Sequence, residues 1–368
     1  MMFPPKSRKS VGKFLIKSPT KTTLKLAPSS PNMPKKPAIL VICGATATGK
    51  TSLALKVATE IISLSSLRGA KRRGSPGYPL RVNLTPSTSV NILSADSRQI
   101  YRGLDIVTGK DLPRDLPPMI RFFGLDLVEP NQPFSLLDYV RYAKKVIQES
   151  LDKDIPLIIV GGTGLYLKAI TSDLLNVQVP PNQSLRLELE KLTLVELQNQ
   201  LQEVNFEKYK SLNNSDIHNP RRLIRAIEIS SANPSLRGGI PTWQSHSTPT
   251  FLWVGLRQDK EAQSASIRQR VLKRLNAGAI DEVKQLIKKY PERDMALFTS
   301  LGVREIIEFL NKKISREELI NLWTATENDY VRRQMVWFKK QPGIIWYDRN
   351  KINKDLAIKL AELFKQND

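Results

Sequence analysis

The sequence predicts an α/β fold: a parallel β-sheet with helices on both faces, plus a helical insertion and a helical C-terminal part. Residues 38–43 and 157–160 are short apolar runs of the kind that form buried parallel strands, and residues 90–94 are predicted to form a further strand. Helical patterns at about 50–64 and 135–152 separate these runs. The alternation indicates successive strand–helix–strand units.

Composition divides the rest of the chain. Residues 1–36 contain no acidic residue and little apolar periodicity, which predicts a disordered basic N-terminal arm. Residues 178–234 are predicted to form the helical insertion. The α/β core is then expected over 37–177 and 235–350, with a strand-like run at 250–256 returning to the sheet. Residues 66–90, rich in Gly, Pro, Ser and Arg, are predicted to be a long surface loop.

Helix starts carry recognisable capping signals. The signals are Ser135 with Asp138, Thr193 with Glu196, Asn219 before Pro220, and Ser315 with Glu318, which opens a helix to about Lys340. Trp337 and Phe338, near the end of that last helix, are predicted to belong to the core.

The charge balance points to a polyanionic partner. Lys and Arg total 57 against 35 Asp and Glu, a formal net charge of +22, and cations bind nucleic acid by displacing condensed counterions. An anionic membrane surface and simple solubility are the alternatives. No apolar run approaches the roughly 20 residues that span a bilayer, so we expect no transmembrane segment. Separately, we expect a cytoplasmic monomer without a membrane partner. The acid-poor N-terminus also suits an organellar transit peptide.

The cysteine and histidine counts exclude two classes of small domain. Cys43 is the only cysteine and there are two histidines, so a disulfide framework and a cysteine/histidine zinc finger are impossible. Cys43 lies in an apolar run and is predicted to be a buried structural thiol.

A phosphate-binding loop follows the first predicted strand. Gly44-Ala45-Thr46-Ala47-Thr48-Gly49-Lys50-Thr51 matches G-x-x-x-x-G-K-[ST] between a strand and a helix. Backbone N–H groups, the helix N-terminus and Lys50 would hold a di- or triphosphate, and Thr51 can ligate Mg²⁺. The core is therefore predicted to be of the P-loop NTPase type, with Mg²⁺ as cofactor.

The loop alone does not decide the reaction. In nucleoside triphosphatases a later strand usually ends in an Asp that helps hold the metal. Here residues 157–160 run into Gly161-Gly162, whereas the strand 90–94 leads to Asp96. A P-loop phosphotransferase or NTPase remains an alternative.

Five segments in order resemble the tRNA dimethylallyltransferase family. They are Gly44–Thr51, Ser94–Tyr101, Gly161–Tyr166, Asn219–Arg225 and Arg333-Gln334 with Trp337. The resemblance runs from about Ile39 to Asp348. It implies transfer of the dimethylallyl group from dimethylallyl diphosphate to N6 of adenosine-37, beside the anticodon, with diphosphate released. The implied partners are dimethylallyl diphosphate and the anticodon stem-loop of tRNA.

The resemblance also implies residue roles. Asp96 would be the general base that accepts the amine proton, and Thr51 with Lys50 would hold the diphosphate, which Arg270 would also reach. The alternative for Asp96 is a helix cap or a metal-shell carboxylate. Residues expected to contact tRNA are Asp96, Ser97, Arg98, Gln99, Thr163, Arg221, Arg222, Leu223, Ile224, Arg225 and Arg304. For Thr163 an ordinary helix-capping role is the alternative, and for the arginines at 221–225, which share one helix face, it is a solvated surface.

The sequence departs from the family at four positions. Phe122 and Phe123 stand where two histidines usually precede a strand predicted at Leu125–Val128, and Asn328 and Ser266 replace arginines. The phosphate loop and Asp96 are intact, so these changes affect secondary contacts. Besides a phosphotransferase, a free-adenylate isopentenyltransferase and a non-enzymatic RNA-binding adaptor are the other hypotheses; the arginine-rich helix favours a macromolecular acceptor.

Overall fold

The computed structural model describes residues 38–72, 89–113, 115–172, 179–232, 249–291, 298 and 300–362. All of them belong to one compact unit, Lys36–Asp368. The predicted N-terminal arm 1–36 lies outside the described residues, as do residues 73–88 of the predicted loop 66–90. The division into core and insertion domains stays a prediction.

Six strands form one parallel sheet in the order β3-β2-β4-β1-β5-β6. The strands are β1 (Ala38–Gly44), β2 (Val90–Ser94), β3 (Ile120–Phe123), β4 (Leu157–Gly161), β5 (Thr250–Arg257) and β6 (Ile345–Asp348). Because all six run the same way, their carboxyl ends share one edge, which is where ligands bind in open α/β sheets. β1, with the phosphate-loop sequence at its end, lies near the middle.

Thirteen α-helices are described in the same residues. They are α1 (Lys50–Arg72), α2 (Asp105–Thr108), α3 (Leu136–Asp152), α4 (Gly164–Thr171), α5 (Gln183–Leu189), α6 (Leu194–Lys210), α7 (Asn214–Ile217), α8 (Pro220–Ser231), α9 (Lys260–Asn276), α10 (Ala279–Lys289), α11 (Val303–Leu310), α12 (Arg316–Lys339) and α13 (Lys354–Glu362), with a 3₁₀ turn at Arg349–Lys351. None of these helices combines the length and the apolar character that crossing a membrane requires.

Side chains of β1 alternate between two hydrophobic layers. Ile39, Val41 and Cys43 face a layer that contains α3 and α4, whereas Leu40 and Ile42 face α1 and α13. This period of two is the geometry of a strand buried on both sides. The predictions of a parallel α/β sheet and of a buried Cys43 are confirmed.

The helical parts have hydrophobic clusters of their own. Helices α5, α6 and α8 enclose a cluster built around Leu201, Leu223 and Ile227. Helices α9–α12 enclose another with the segment 100–107, centred on the fully buried Trp323. Phe338 at the end of α12 is fully buried against the sheet, so the core prediction for it is confirmed.

The capping predictions are confirmed. The side chains of Ser135, Thr193 and Ser315 each accept a hydrogen bond from the backbone of the acidic residue three positions later, and Asn219 caps α8 with Pro220 at its first position. α1 is longer than predicted and extends to Arg72.

The predicted strand at Leu125–Val128 is wrong. The strand is Ile120–Phe123, and Val128 forms only an isolated bridge to Tyr101. Gly124 has a φ of 81° and Asp126 a φ of 52°, values that no extended strand contains. β6 was not predicted. Both β3 and β6 lie at sheet edges, where partial burial weakens the apolar pattern.

Candidate active site

The turn from β1 to α1 has the backbone of a phosphate-binding loop. Gly44 and Gly49 have φ values of 135° and 88°, and Ala47 adopts 60°. A Cβ at Gly44 would overlap the carbonyl oxygen of Leu256 on β5, so only glycine fits there. Within the loop, Lys50 Nζ donates to the carbonyl of Ala45 at 2.6 Å, which places its charge over the turn.

Side chains from distant helices engage every polar group of Thr46. Its N–H donates to Gln334 Oε1 (3.0 Å), its carbonyl accepts from Gln263 Nε2 (2.7 Å), and its hydroxyl accepts from Arg270 Nη1 (2.7 Å). Gln334 also donates from Nε2 to the carbonyl of Gly162 at 2.9 Å. Gln334 thereby ties the phosphate loop to the loop after β4, and the Thr46 N–H is already occupied.

An open cavity of about 1610 Å³ lies at the carboxyl edge of the sheet. Its lining brings together the phosphate loop and several predicted site residues, namely Thr46, Ala47, Gly49, Lys50, Thr51, Asp96, Gln99 and Arg270. The cavity is also lined by Tyr330 and Gln334 from α12 and by Arg274 from α9. An anion-binding turn and a carboxylate therefore share one cavity.

Asp96 is the carboxylate of that cavity and follows the end of β2. Its Oδ1 accepts from the N–H of Arg98 at 2.9 Å, which fixes the carboxylate; its other oxygen makes no hydrogen bond to the residues that the structure describes. The next residue, Ser97, donates its N–H to Thr163 Oγ1 at 3.2 Å. Thr163 precedes α4 but does not cap it with its side chain. Asp96 and Thr163 thus belong to one network where β2 and β4 end.

Tyr330 on α12 lines the same cavity. Burial together with the charge of Asp96 raises the pKa of Tyr330 to about 12. The phenol is therefore neutral across the physiological range. Sequence patterns gave no signal for it, because a tyrosine inside a helix looks like an ordinary core residue.

Gln99 supports the cavity wall. Its Oε1 accepts from Ser94 Oγ at 2.9 Å and its Nε2 donates to the carbonyl of Gly109 at 3.0 Å. Both ends of the amide are engaged by the protein, so in this arrangement the side chain positions the wall. The implied contact with the target base remains a prediction.

Arg270 joins the phosphate loop to the segment after α2. Besides Thr46, it donates from Nη2 to the carbonyl of Gly109 (3.1 Å) and to Asp111 Oδ2 (2.8 Å). Burial, and then the nearby Arg270 cation, lowers the pKa of Lys50 to about 8. Arg274, one turn further along α9, is buried and donates to Glu327 at 2.9 Å. Lys50 and Arg270 thus place two positive charges at the loop, an arrangement that suits a multiply charged anion.

Mg²⁺ was predicted at Thr51, whose side chain lines the cavity. No group of three or more His, Cys, Asp and Glu side chains in the described part of the chain is arranged to hold a metal. Mg²⁺ keeps several waters and binds through one or two protein oxygens plus substrate phosphates. The residues present fit a Mg²⁺ held by phosphates and the Thr51 hydroxyl.

The predicted tRNA-contacting arginines differ in their surroundings. Arg221 is exposed, Arg222 pairs with Asp216, and Arg225 donates to Glu228 and to the Val179 carbonyl. Arg225 therefore also stabilises the insertion.

Three other predicted tRNA contacts are also placed by the structure. Leu223 and Ile224 are buried in the cluster of α5, α6 and α8, so their side chains are not available to a polynucleotide. Arg304 is exposed and pairs with Glu305. Like the arginines of α8, none of the three is among the residues that line the cavity.

The family model described as IPP transferase matches residues 99–341. A protein named tRNA dimethylallyltransferase from Crocosphaera subtropica is 33% identical over 314 residues, covering 84% of this chain and 91% of the relative. Another of that name from Synechococcus elongatus is 32% identical over 336 residues, covering 90% and 98%. The chain belongs to the IPP transferase family.

Solved structures share its fold. The tRNA isopentenylpyrophosphate transferase of Bacillus halodurans is 24% identical with a TM-score of 0.58, covering 90% of this chain and 98% of that one. A eukaryotic dimethylallyltransferase acting on tRNA is 20% identical with a TM-score of 0.68, covering 90% and 80%. At these identities the likeness establishes the fold, and membership of the IPP transferase family confirms the resemblance inferred from the five motifs.

Proposed function

We propose that this protein is a tRNA dimethylallyltransferase that moves the dimethylallyl group of dimethylallyl diphosphate to N6 of adenosine-37 in tRNA. One observation carries the proposal: the phosphate loop and the Asp96 carboxylate line the same cavity. Membership of the IPP transferase family supports the activity, and the similar proteins carry that name.

The chemistry assigns separate tasks to the two sides of the cavity. The nitrogen lone pair attacks C1 of the dimethylallyl group, the C1–O bond breaks, and its electron pair leaves with the diphosphate. Lys50, Arg270 and the loop N–H groups stabilise the negative charge that develops on that leaving group. The proton released from the amine passes to the Asp96 carboxylate. Mg²⁺, bound through phosphate oxygens and Thr51, would add positive charge at the leaving group.

The acceptor must reach Asp96 unpaired and unstacked, since chemistry on a base requires removing it from the stack. The basic surface of α8 and the net charge of +22 suit the phosphates of the surrounding stem-loop. Against a phosphotransferase stands the end of β4, where Gly161 and Gly162 supply no carboxylate for a metal.

The test is a product assay with a matched pair of variants. Purified protein, tRNA, dimethylallyl diphosphate and Mg²⁺ should yield isopentenyladenosine in the digested tRNA, and AMP in place of tRNA should yield little. Asp96→Asn should lower kcat by about 100-fold or more with tRNA affinity kept. Asp152→Asn, an exposed carboxylate on α3, is the control and should behave as wild type. ATP hydrolysis without prenylated tRNA would refute the proposal.

A further inference from the structure

Asp111 holds a carboxylate against Arg270 in an unusual backbone conformation. Its Oδ2 accepts from Arg270 Nη2 at 2.8 Å, and its side chain is half exposed on the cavity wall. The φ of Asp111 is 44°, in the left-handed region that non-glycine residues rarely adopt. Aspartate is among the few non-glycine residues that this region accepts, so it is the pairing with Arg270 at the cavity wall that calls for a functional explanation.

The side chain of Lys110 anchors the segment that carries Asp111. The preceding residue, Lys110, is buried and donates to the Tyr101 carbonyl (2.8 Å) and to Asp105 (2.6 Å), and it also pairs with Asp126. These anchors hold the backbone, so the carboxylate cannot drift away from Arg270 as a side chain on a loose loop would.

The surroundings of Asp111 are cationic. Lys273 and Arg274 follow Arg270 on α9 by three and four residues, and all three side chains line the cavity. Burial works to raise the pKa of Asp111, but these cations, Arg270 foremost, hold it below its usual value. In the absence of a diphosphate, Asp111 is the carboxylate that pairs with Arg270 among the described residues.

Arg270 Nη2 has two hydrogens, and they are directed at two different acceptors. One acceptor is the Gly109 carbonyl, part of the anchored backbone; the other is the exposed Asp111 carboxylate. Meanwhile Nη1 keeps the guanidinium on Thr46 of the phosphate loop. An incoming diphosphate can replace Asp111 without releasing the other two contacts.

We propose that Asp111 is a positioning residue, an internal counterion that holds Arg270 at the phosphate loop until the diphosphate of the donor replaces it. The inference rests on the proposed function, because it takes the donor diphosphate as the ligand of Arg270. Asp111 then competes with the donor and with the diphosphate product. Removal of Asp111 should therefore strengthen binding of both ligands. Removal of a residue that only stabilised the fold would weaken their binding.

Asp111→Asn is the decisive variant, because asparagine tolerates positive φ and removes only the charge. Asp281→Asn on α10 removes a carboxylate that is more exposed than Asp111 and pairs with Lys284 away from the cavity lining, and it serves as the control. Two calorimetric titrations are needed, one with Mg²⁺ plus inorganic diphosphate and one with dimethylallyl diphosphate. In both, Kd should be about three- to five-fold lower for Asp111→Asn than for wild type, which corresponds to the free energy of a partly exposed ion pair. KM for the donor should fall by a similar factor while kcat does not rise.

An unchanged or higher Kd in Asp111→Asn would overturn the inference. If that variant fails to fold, Asp111→Gly keeps the positive φ, removes the acceptor and must show the same tightening. Wild-type protein that binds neither diphosphate would instead overturn the proposed donor site, so the two failures are distinguishable.

Discussion

Replacing Gln334 by methionine should weaken binding of the prenyl donor and leave tRNA binding unchanged. Gln334 belongs to one of the five segments that carry the resemblance to the family, which by itself assigns it no role. In the structure its amide is buried and bridges the Thr46 N–H and the Gly162 carbonyl. Methionine has a similar length but makes neither hydrogen bond, so Gln334→Met releases the phosphate loop from the loop after β4.

The size of the effect follows from these two bonds. Each buried hydrogen bond contributes about 0.5–1.5 kcal/mol net, so their sum is about 1–3 kcal/mol. If all of it were expressed in donor affinity, Kd would rise roughly 5- to 150-fold. Gln334 lines the cavity, so water can replace part of the loss. We therefore expect an increase of about tenfold in Kd for dimethylallyl diphosphate.

Two titrations separate the two roles of this helix. Calorimetry should show the weaker donor binding of Gln334→Met, while filter binding of tRNA gives the wild-type Kd. Arg332→Met, two residues away and exposed beside Asp329, should give the reverse pattern. Normal donor affinity with weakened tRNA binding in Gln334→Met would show that the hydrogen bond between Gln334 and Thr46 does not support the donor site.

Two further predictions concern charge. Burial and Arg270 lower the pKa of Lys50 to about 8, and bound diphosphate favours the protonated amine. Donor affinity should therefore be constant just below pH 8 and should fall by up to about tenfold per pH unit above it. Lys50→Arg should bind donor with a flat profile, and an identical fall in that variant would contradict the assignment. Arg221→Ala should reduce the salt dependence of tRNA binding by about one unit of slope without changing stability. Arg225→Ala should cost about 1–2 kcal/mol in denaturant unfolding, because buried Glu228 loses a partner; equal stability of these two variants would show that Arg225 does not brace the insertion.

The central strands were predictable because their physics is local. β1, β2, β4 and β5 are buried on one or both faces, so their sequences are predominantly apolar, and each was predicted to within one residue at either end. The edge strand β3 was misplaced because two positive φ values at Gly124 and Asp126 end it. Positive φ at an aspartate leaves no reliable trace in sequence, since Asp is also common in ordinary turns.

The residues that carry the chemistry of the site could be predicted from the sequence. The residues that hold the phosphate loop in place could not. The phosphate loop and Asp96 follow directly from two strand ends, and the spacing of the loop residues is set by phosphate geometry. The anchors of Thr46 come from far along the chain: Gln334 is 288 positions and Gln263 is 217 positions after it. Nothing in the pattern of α9 or α12 distinguishes these glutamines from solvated ones, because their partners are backbone groups that only the fold brings near.

These anchors explain how a phosphate loop can serve prenyl transfer. With its N–H given to Gln334, Thr46 offers no backbone donor to an anion, which leaves the later loop N–H groups, Lys50 and Arg270 to bind phosphate. Arg270 and Gln334 lie on helices that also bear exposed cations, Lys273 on α9 and Arg332 on α12. The residues that anchor the donor loop are therefore on helices that also carry exposed cations. Under the proposed function, donor and tRNA sites built on shared helices would keep the fixed spacing that transfer between two bound substrates requires.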